Sequence, residues 1–204
     1  MTKIAILVPC FNEAKRLNTH IFQDFAIANN NIDFYMVDDG SKDETGKVLT
    51  QIKQNNPTQF HIYTLSKNKG KAGALRDAIM NIKELNAYPY IGFIDADLPM
   101  PICEINALAD ALVRTPALLV TAGCRVNIVG HHIRRKPVRH YLSRIFVTYY
   151  DVFLKIPNYD TQCGIKLFET SFAYYLFEQP FVSKWIFDIE LFVRAKKIWV
   201  QPLT

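Results

Sequence analysis

Tyr90-Ile91-Gly92-Phe93-Ile94-Asp95-Ala96-Asp97 is the stretch from which the architecture is read. A short apolar run with aromatic and β-branched residues predicts a buried strand, and here it ends in two carboxylates separated by one alanine. Side chains alternate faces in extended chain, so Asp95 and Asp97 project the same way if strand geometry persists through them. Two hard oxygen donors on one side suit Mg²⁺ or Mn²⁺, which bind through one or two carboxylates while phosphate oxygens of a substrate complete the shell. Asp-x-Asp also occurs as ordinary solvated loop chemistry, so its meaning depends on what surrounds it.

Toward the N-terminus, Lys3 to Val8 forms a continuous apolar run of the kind found inside parallel sheets, and Pro9 removes a donor where the strand gives out. The loop Cys10-Phe11-Asn12-Glu13 follows, with Asn12 as N-cap of a helix over 14–28. A second strand, Phe34 to Val37, runs into Asp38-Asp39-Gly40-Ser41-Lys42-Asp43. Gly40 permits a tight turn there, and Ser41 or Asp43 can cap a helix over 43–55. Phe60 to Leu65 predicts a third strand, and Ser66 to Gly73, basic and glycine-bearing, leads into a helix over 72–85. Its backbone amides, lysines and helix dipole favour an anion, although the Walker P-loop spacing is absent and a solvated turn is the bland alternative.

Beyond the opening stretch come a helix opened by Pro101 and a strand over 118–122. Strands alternating with helices imply an α/β fold with a doubly wound, mostly parallel sheet flanked by helices. Ligands bind such sheets beyond the carboxyl ends of the strands, and three polar clusters, 9–13, 38–43 and 95–97, fall at those ends.

The 204 residues suit one domain with a real core, half of them being hydrophobic. The net charge of +5 favours anionic partners without choosing among nucleotides, lipid headgroups and nucleic acid. Four scattered cysteines form no C-x-x-C pair and fit a reducing, cytoplasmic setting. The N-terminus leaves no room for a signal peptide, and no apolar run approaches the roughly 20 residues that cross a bilayer.

Character changes near residue 124. Between Arg125 and Arg144 stand six basic residues, Arg125, Arg134, Arg135, Lys136, Arg139 and Arg144, and no acid. Interleaved aromatic and apolar residues tie this stretch to a packed surface rather than to a solvated basic face. Pro137 can start a helix over 137–155. Asp160 to Phe168 turns into a short strand, 170–177 predicts a short helix, and Trp185 to Phe192 opens another with acids at Asp188 and Glu190. Val200 to Thr204 reads as the beginning of a further strand, as in a piece of a longer chain. The expected organisation is one domain over 1–204, divided at this boundary into 1–124 and 125–204.

Taken in order, these motifs resemble those of a family 2 glycosyltransferase with the GT-A fold, over essentially the whole chain. Val8 to Glu13 resembles the first nucleotide-binding loop, Val37 to Asp43 the second, and Asp95-Ala96-Asp97 the metal-binding DxD. Gly70 to Arg76, Gly123-Cys124-Arg125, Asp160 to Gly164 and Trp185 to Asp188 are similar to the dolichyl-phosphate β-glucosyltransferase and polyprenyl-phosphate mannosyltransferase branch. The Asp-Thr-Gln-Cys-Gly run is similar to the glucosyl side of that branch.

The resemblance implies that Pro9, Phe11, Glu13, Asp38, Asp39, Lys71 and Asp95 bind the nucleotide, with Asp39 at the base. A carboxylate there can accept from a uracil N3–H, which points to UDP, though guanine also offers donors. It implies Asp95 and Asp97 as ligands of Mg²⁺ or Mn²⁺. Arg125, Arg139, Arg144 and Gln162 would hold the phosphates of donor or acceptor, with Asp97, Arg125 and Asp188 forming the catalytic set. Some mannosyl-transferring relatives carry a metal-binding side chain two residues after the second aspartate, where this chain has Pro99.

The implied reaction is inverting transfer of a hexose, glucose first, from a UDP-sugar to a polyprenyl or dolichyl phosphate at the cytosolic face of a membrane. A phosphate acceptor needs no general base. A saccharide hydroxyl would need one, for which Asp188 is the candidate unless it only complements a helix dipole. Competing readings are a same-fold enzyme acting on a saccharide in cell-surface glycan synthesis, a non-catalytic nucleotide or nucleic-acid binding module, and a nucleotidyltransferase. Against the last, Pro9 to Glu13 stands where a glycine-rich loop is usual, and no nucleic-acid-binding motif is present, so no nucleic-acid partner is expected.

Overall fold

The computed structural model describes residues 2–124, 163–183 and 186–199. The first four strands, β1 (Ile4–Cys10), β2 (Ile32–Asp38), β3 (Phe60–Thr64) and β4 (Tyr90–Ile94), run parallel in the order β3-β2-β1-β4. Helices α1 (Thr19–Ala28), α2 (Thr45–Asn55) and α3 (Gly70–Asn81) connect them, the last followed by a 3-10 turn at Lys83–Ala87. Helix α4 (Glu104–Arg114) then leads to β5 (Val120–Ala122), and β6 (Ile165–Glu169) precedes α5 (Thr170–Phe177) and α6 (Phe187–Trp199).

Side-chain alternation in the central strands makes two cores. Ile4, Ile6 and Val8 of β1 with Ile32, Phe34 and Met36 of β2 face α1, α2 and α4. Ala5 and Leu7 with Tyr35, Val37, Ile91 and Phe93 face α3, α5 and α6. Both faces of the sheet are therefore covered, which is why β1 and β2 read as unbroken apolar runs. Phe34 anchors the first core, stacked on Phe60 at 5.3 Å and meeting the edge of Phe22 at 5.5 Å.

The doubly wound, mostly parallel sheet is as expected, with one change of order. The next strand after β4 in sequence does not pair with it. β6 inserts between β4 and β5, antiparallel to both, so the sheet runs β3-β2-β1-β4-β6-β5. The direction is set by a connection between residues distant in sequence, which local patterning does not carry.

Three helix starts also differ from expectation. Asn12 does not cap α1: its φ is +54° and its Oδ1 accepts from the Lys42 amide, so the chain turns through 13–18 before the helix begins at Thr19. Pro101 stands ahead of α4 rather than inside its first turn, and its carbonyl accepts from Glu104 N. At α2 the N-cap position is Glu44, which makes no side-chain cap bond, and Asp43, one residue earlier, instead accepts from the Thr45 amide through its Oδ1. The expected helix over 137–155 and the strand at 200–204 lie outside the described residues.

Candidate active site

Strand order reverses at β1, with β2 and β3 on one side and β4 on the other. Pairing of β1 with β4 stops at Leu7 and Phe93, whereas β1 stays paired with β2 as far as Cys10 and Asp38. The carboxyl ends of β1 and β4 therefore part here, at the place where open α/β sheets bind ligands. Pro9 costs nothing in this position, because no strand on the β4 side needs its missing N–H.

The loops beyond these strand ends are stitched together in sequence order. The first is bound to the second: Asn12 N donates to Ser41 Oγ at 3.0 Å, Glu13 N to Thr45 Oγ1 at 2.8 Å, and Asp39 N to Cys10 O at 2.8 Å. Asp38 receives the Ser41 amide at 2.9 Å. The second is bound to the third through Asp39, whose Oδ1 accepts from Lys69 N at 2.7 Å. Gly40, at φ +67°, presses on the third loop so closely that a Cβ would lie 2.8 Å from the Lys67 carbonyl carbon. Only glycine meets both demands. The third loop is bound to the fourth by Lys71, whose ammonium reaches Asp95 Oδ1 at 2.5 Å.

Asp39 is buried, and burial first of all pushes its carboxyl above the usual range, against the Lys69 and Gly70 amides. Glu13 pairs with Arg16 through Oε1 at 2.5 Å, while its Oε2 is buried without a partner among the described residues. Phe11 is exposed at the rim.

Asp95 and Asp97 part company with the strand-alternation argument. β4 ends at Ile94, and the chain turns at once, Leu98 N donating to Asp95 O at 3.1 Å with Leu98 at φ +47°. The turn, not the pleat, decides where these two acids point. Asp95 N donates to Gly164 O, and a Cβ on Gly164 would fall 2.1 Å from Asp95 Oδ2. The carboxylate is thus held between the Lys71 ammonium and a bare glycine backbone. Asp97 is exposed and bonded to no described side chain. No group of three or more His, Cys, Asp or Glu forms a metal cage among the described residues. Two oxygen-donor side chains do fit a hard dication that shares its shell with a diphosphate.

Asp188 lies in the first turn of α6 and is buried against Lys166, whose Nζ donates to its Oδ1 at 2.5 Å. Lys166 is the polar residue that sequence reasoning missed. The available signal was a lone cation inside the apolar run Ile165-Lys166-Leu167-Phe168. Arg125, Arg139, Arg144 and Gln162 lie outside the described residues.

The model of glycosyl transferase family 2 matches residues 5–177 of this chain, 85% or so of its length on the scale of a whole domain. The chain belongs to glycosyl transferase family 2. An uncharacterised protein of Methanocaldococcus jannaschii is 32% identical over 111 residues, spanning 54% of this family 2 chain and 47% of that protein. The poly-beta-1,6-N-acetyl-D-glucosamine synthase of Staphylococcus aureus is 31% identical over 94 residues, 46% of this chain and only 21% of the synthase. The matched stretch is thus less than half of either relative.

Among solved structures, glucosyl-3-phosphoglycerate synthase from Mycobacterium tuberculosis, in complex with Mn²⁺, UDP-glucose and glycerol 3-phosphate, superposes with a TM-score of 0.67 at 15% identity. It covers 97% of this chain and 66% of the synthase. A Pyrobaculum calidifontis mannosyltransferase in complex with GDP-mannose and Mn²⁺ superposes with a TM-score of 0.57 at 16% identity, over 85% of this chain and 46% of that one. At these identities the likeness is one of fold, and the family 2 chain shares its GT-A-like architecture with both.

Proposed function

We propose that this chain is the catalytic portion of an inverting, metal-dependent glycosyltransferase that moves a hexose, glucose first, from UDP to a polyprenyl or dolichyl phosphate. The observation that carries the reading is the β1/β4 switch point, beyond which four loops are bonded one to the next and Asp95 is held between Lys71 and Gly164.

In this reading Asp39 accepts from the base and Pro9, Phe11 and Asp38 shape the pocket around it. Glu13 Oε2, unpartnered among the described residues, is an acceptor for a ribose or base donor, since a buried polar atom is stable only when satisfied. Asp95 and Asp97 would hold Mg²⁺ or Mn²⁺, which when bound supplies positive charge to the diphosphate oxygens. A phosphate oxygen of the acceptor attacks the sugar C1 from the face opposite the nucleotide. The C1–O bond to the diphosphate breaks as the new C1–O bond forms, and the nucleoside diphosphate leaves with the electron pair. Positive groups already in place where negative charge develops are the largest kind of catalytic contribution. Arg125, Arg139, Arg144 and Gln162, in the acceptor half over 125–204, are assigned to the phosphates. The engagement of Asp188 by Lys166 supports an acceptor that needs no proton removed.

The test is a panel of UDP-, GDP- and CDP-sugars read by thermal shift with and without Mn²⁺, followed by transfer assays offering polyprenyl phosphate and a free oligosaccharide. UDP-glucose should stabilise the protein selectively with Mn²⁺, and label should appear on the lipid. Transfer to the oligosaccharide alone would favour the second reading, a saccharide-decorating enzyme, to which the similarity to the staphylococcal polysaccharide synthase points.

A further inference from the structure

Lys166 has no place in the mechanism above, yet it is the most deeply buried charge described, at 0% exposure. It stands in β6 opposite Phe93 of β4, a position that an apolar residue would fill without any cost of desolvation. Among the described residues its ammonium donates to Asp188 Oδ1 at 2.5 Å and to Cys163 O at 2.8 Å. Burial pushes its pKa below the usual lysine value, opposed by Asp188.

What these bonds hold is the segment that supports Asp95. Cys163 immediately precedes Gly164, whose carbonyl receives the Asp95 amide at 3.0 Å and whose Cα lies against the Asp95 carboxylate. The same segment is backed by Gly123, where a Cβ would come 2.9 Å from Cys163 Sγ. From the other direction Lys71 holds Asp95 Oδ1. Both ammoniums lie over one ring, Lys71 at 5.0 Å and Lys166 at 5.4 Å from the Phe93 centroid. Phe187, beside Asp188 at the head of α6, packs on that ring at 5.9 Å. The strand lead-in at 163–164, the head of α6 and the head of α3 therefore converge behind a single carboxylate.

We propose that Lys166 is a positioning residue for transfer: by clamping the Cys163 carbonyl to Asp188 it fixes the glycine bed on which the Asp95 carboxylate rests, and Asp188 serves as its anchor rather than as a base. This rests on the glycosyltransferase reading. Groups that orient a metal-binding carboxylate typically cost about 10–100-fold in metal affinity or activity when removed.

Lys166→Met alone would strand a buried carboxylate and could unfold the protein, so the informative variant is the pair Lys166→Met with Asp188→Leu, which removes both charges together. Its Tm should stay near that of the unmodified protein. Its Mn²⁺-dependent affinity for UDP, measured by calorimetry, should fall about 10–100-fold and its kcat by a similar factor, while the KM for the donor at saturating Mn²⁺ changes far less. Gly164→Ala, which crowds Asp95 without touching the Lys166–Asp188 pair, should reproduce the weakened Mn²⁺ response. A folded pair variant with unmodified kcat and Mn²⁺ response overturns the proposal, as does an unmodified Mn²⁺ response in Gly164→Ala. Loss of kcat with Mn²⁺ affinity intact would also overturn it, returning Asp188 to the role of base. Absence of nucleotide binding and transfer in the unmodified protein would instead remove the underlying reading and this proposal with it.

Discussion

Gly40 joins two loops that bind the nucleotide in our reading, and both its φ and its contact with the third loop exclude a side chain. A residue with a Cβ in the left-handed region costs about 1–2 kcal/mol before any clash is counted. Gly40→Ala is therefore expected to lower Tm and to weaken UDP binding together, because Asp39 and Lys69 are displaced along with the turn; thermal melts and calorimetry on the same preparation check this. Asp97 makes the opposite case. It is exposed and supports no described contact, so Asp97→Ala should leave the melting curve unchanged and abolish Mn²⁺-stimulated transfer. Turnover near that of the unmodified protein would remove Asp97 from the site.

Helix α5 is held at both ends by side chains. Glu169 at its N-cap accepts from the Ser171 and Phe172 amides, and Arg194 of α6 gathers the carbonyls of Leu176 in its last turn and of Gln179 and Pro180 beyond it. Burial pushes the Glu169 carboxyl up, but the Ser171 hydroxyl and the two amides outweigh it, and the net displacement is downward. A carboxyl lowered in the folded state contributes stability that is present above its unfolded value and is lost as pH falls through the folded value. Glu169→Gln should cost about 1 kcal/mol at neutral pH, the ordinary magnitude for a lost cap, and this cost should disappear in acid as the Glu169 carboxyl becomes protonated. Unfolding curves measured from pH 7 down to pH 3 should therefore converge for the two proteins; parallel curves would show that the charge on Glu169 does not matter.

At the scale of the molecule, two cores share one sheet, and the order β3-β2-β1-β4-β6-β5 places the site at its topological reversal. Phe34 is buried completely and touches aromatic rings from α1 and β3. Phe34→Ala should cost about 3–5 kcal/mol, a large share of the stability of any domain. For a chain of this size that lowers Tm by roughly 6–20 °C, with no selective effect on nucleotide affinity at temperatures where the variant remains folded. A differential melt with and without UDP separates the two outcomes. No helix among the described residues is long and apolar enough to cross a membrane.

Patterning along the chain was enough to set the alternating strands and helices, the mostly parallel sheet and the polar clusters at its carboxyl edge. Apolar period, turn residues and strand-ending acids are local properties, and each can be read within a dozen residues. Three things were decided only when the chain closed on itself: β6 entering antiparallel between β4 and β5, Gly164 lying beneath Asp95, and Lys166 finding Asp188. Each joins residues more than twenty positions apart, and the free energy of such a contact comes from burial and charge pairing between partners that no local window contains together.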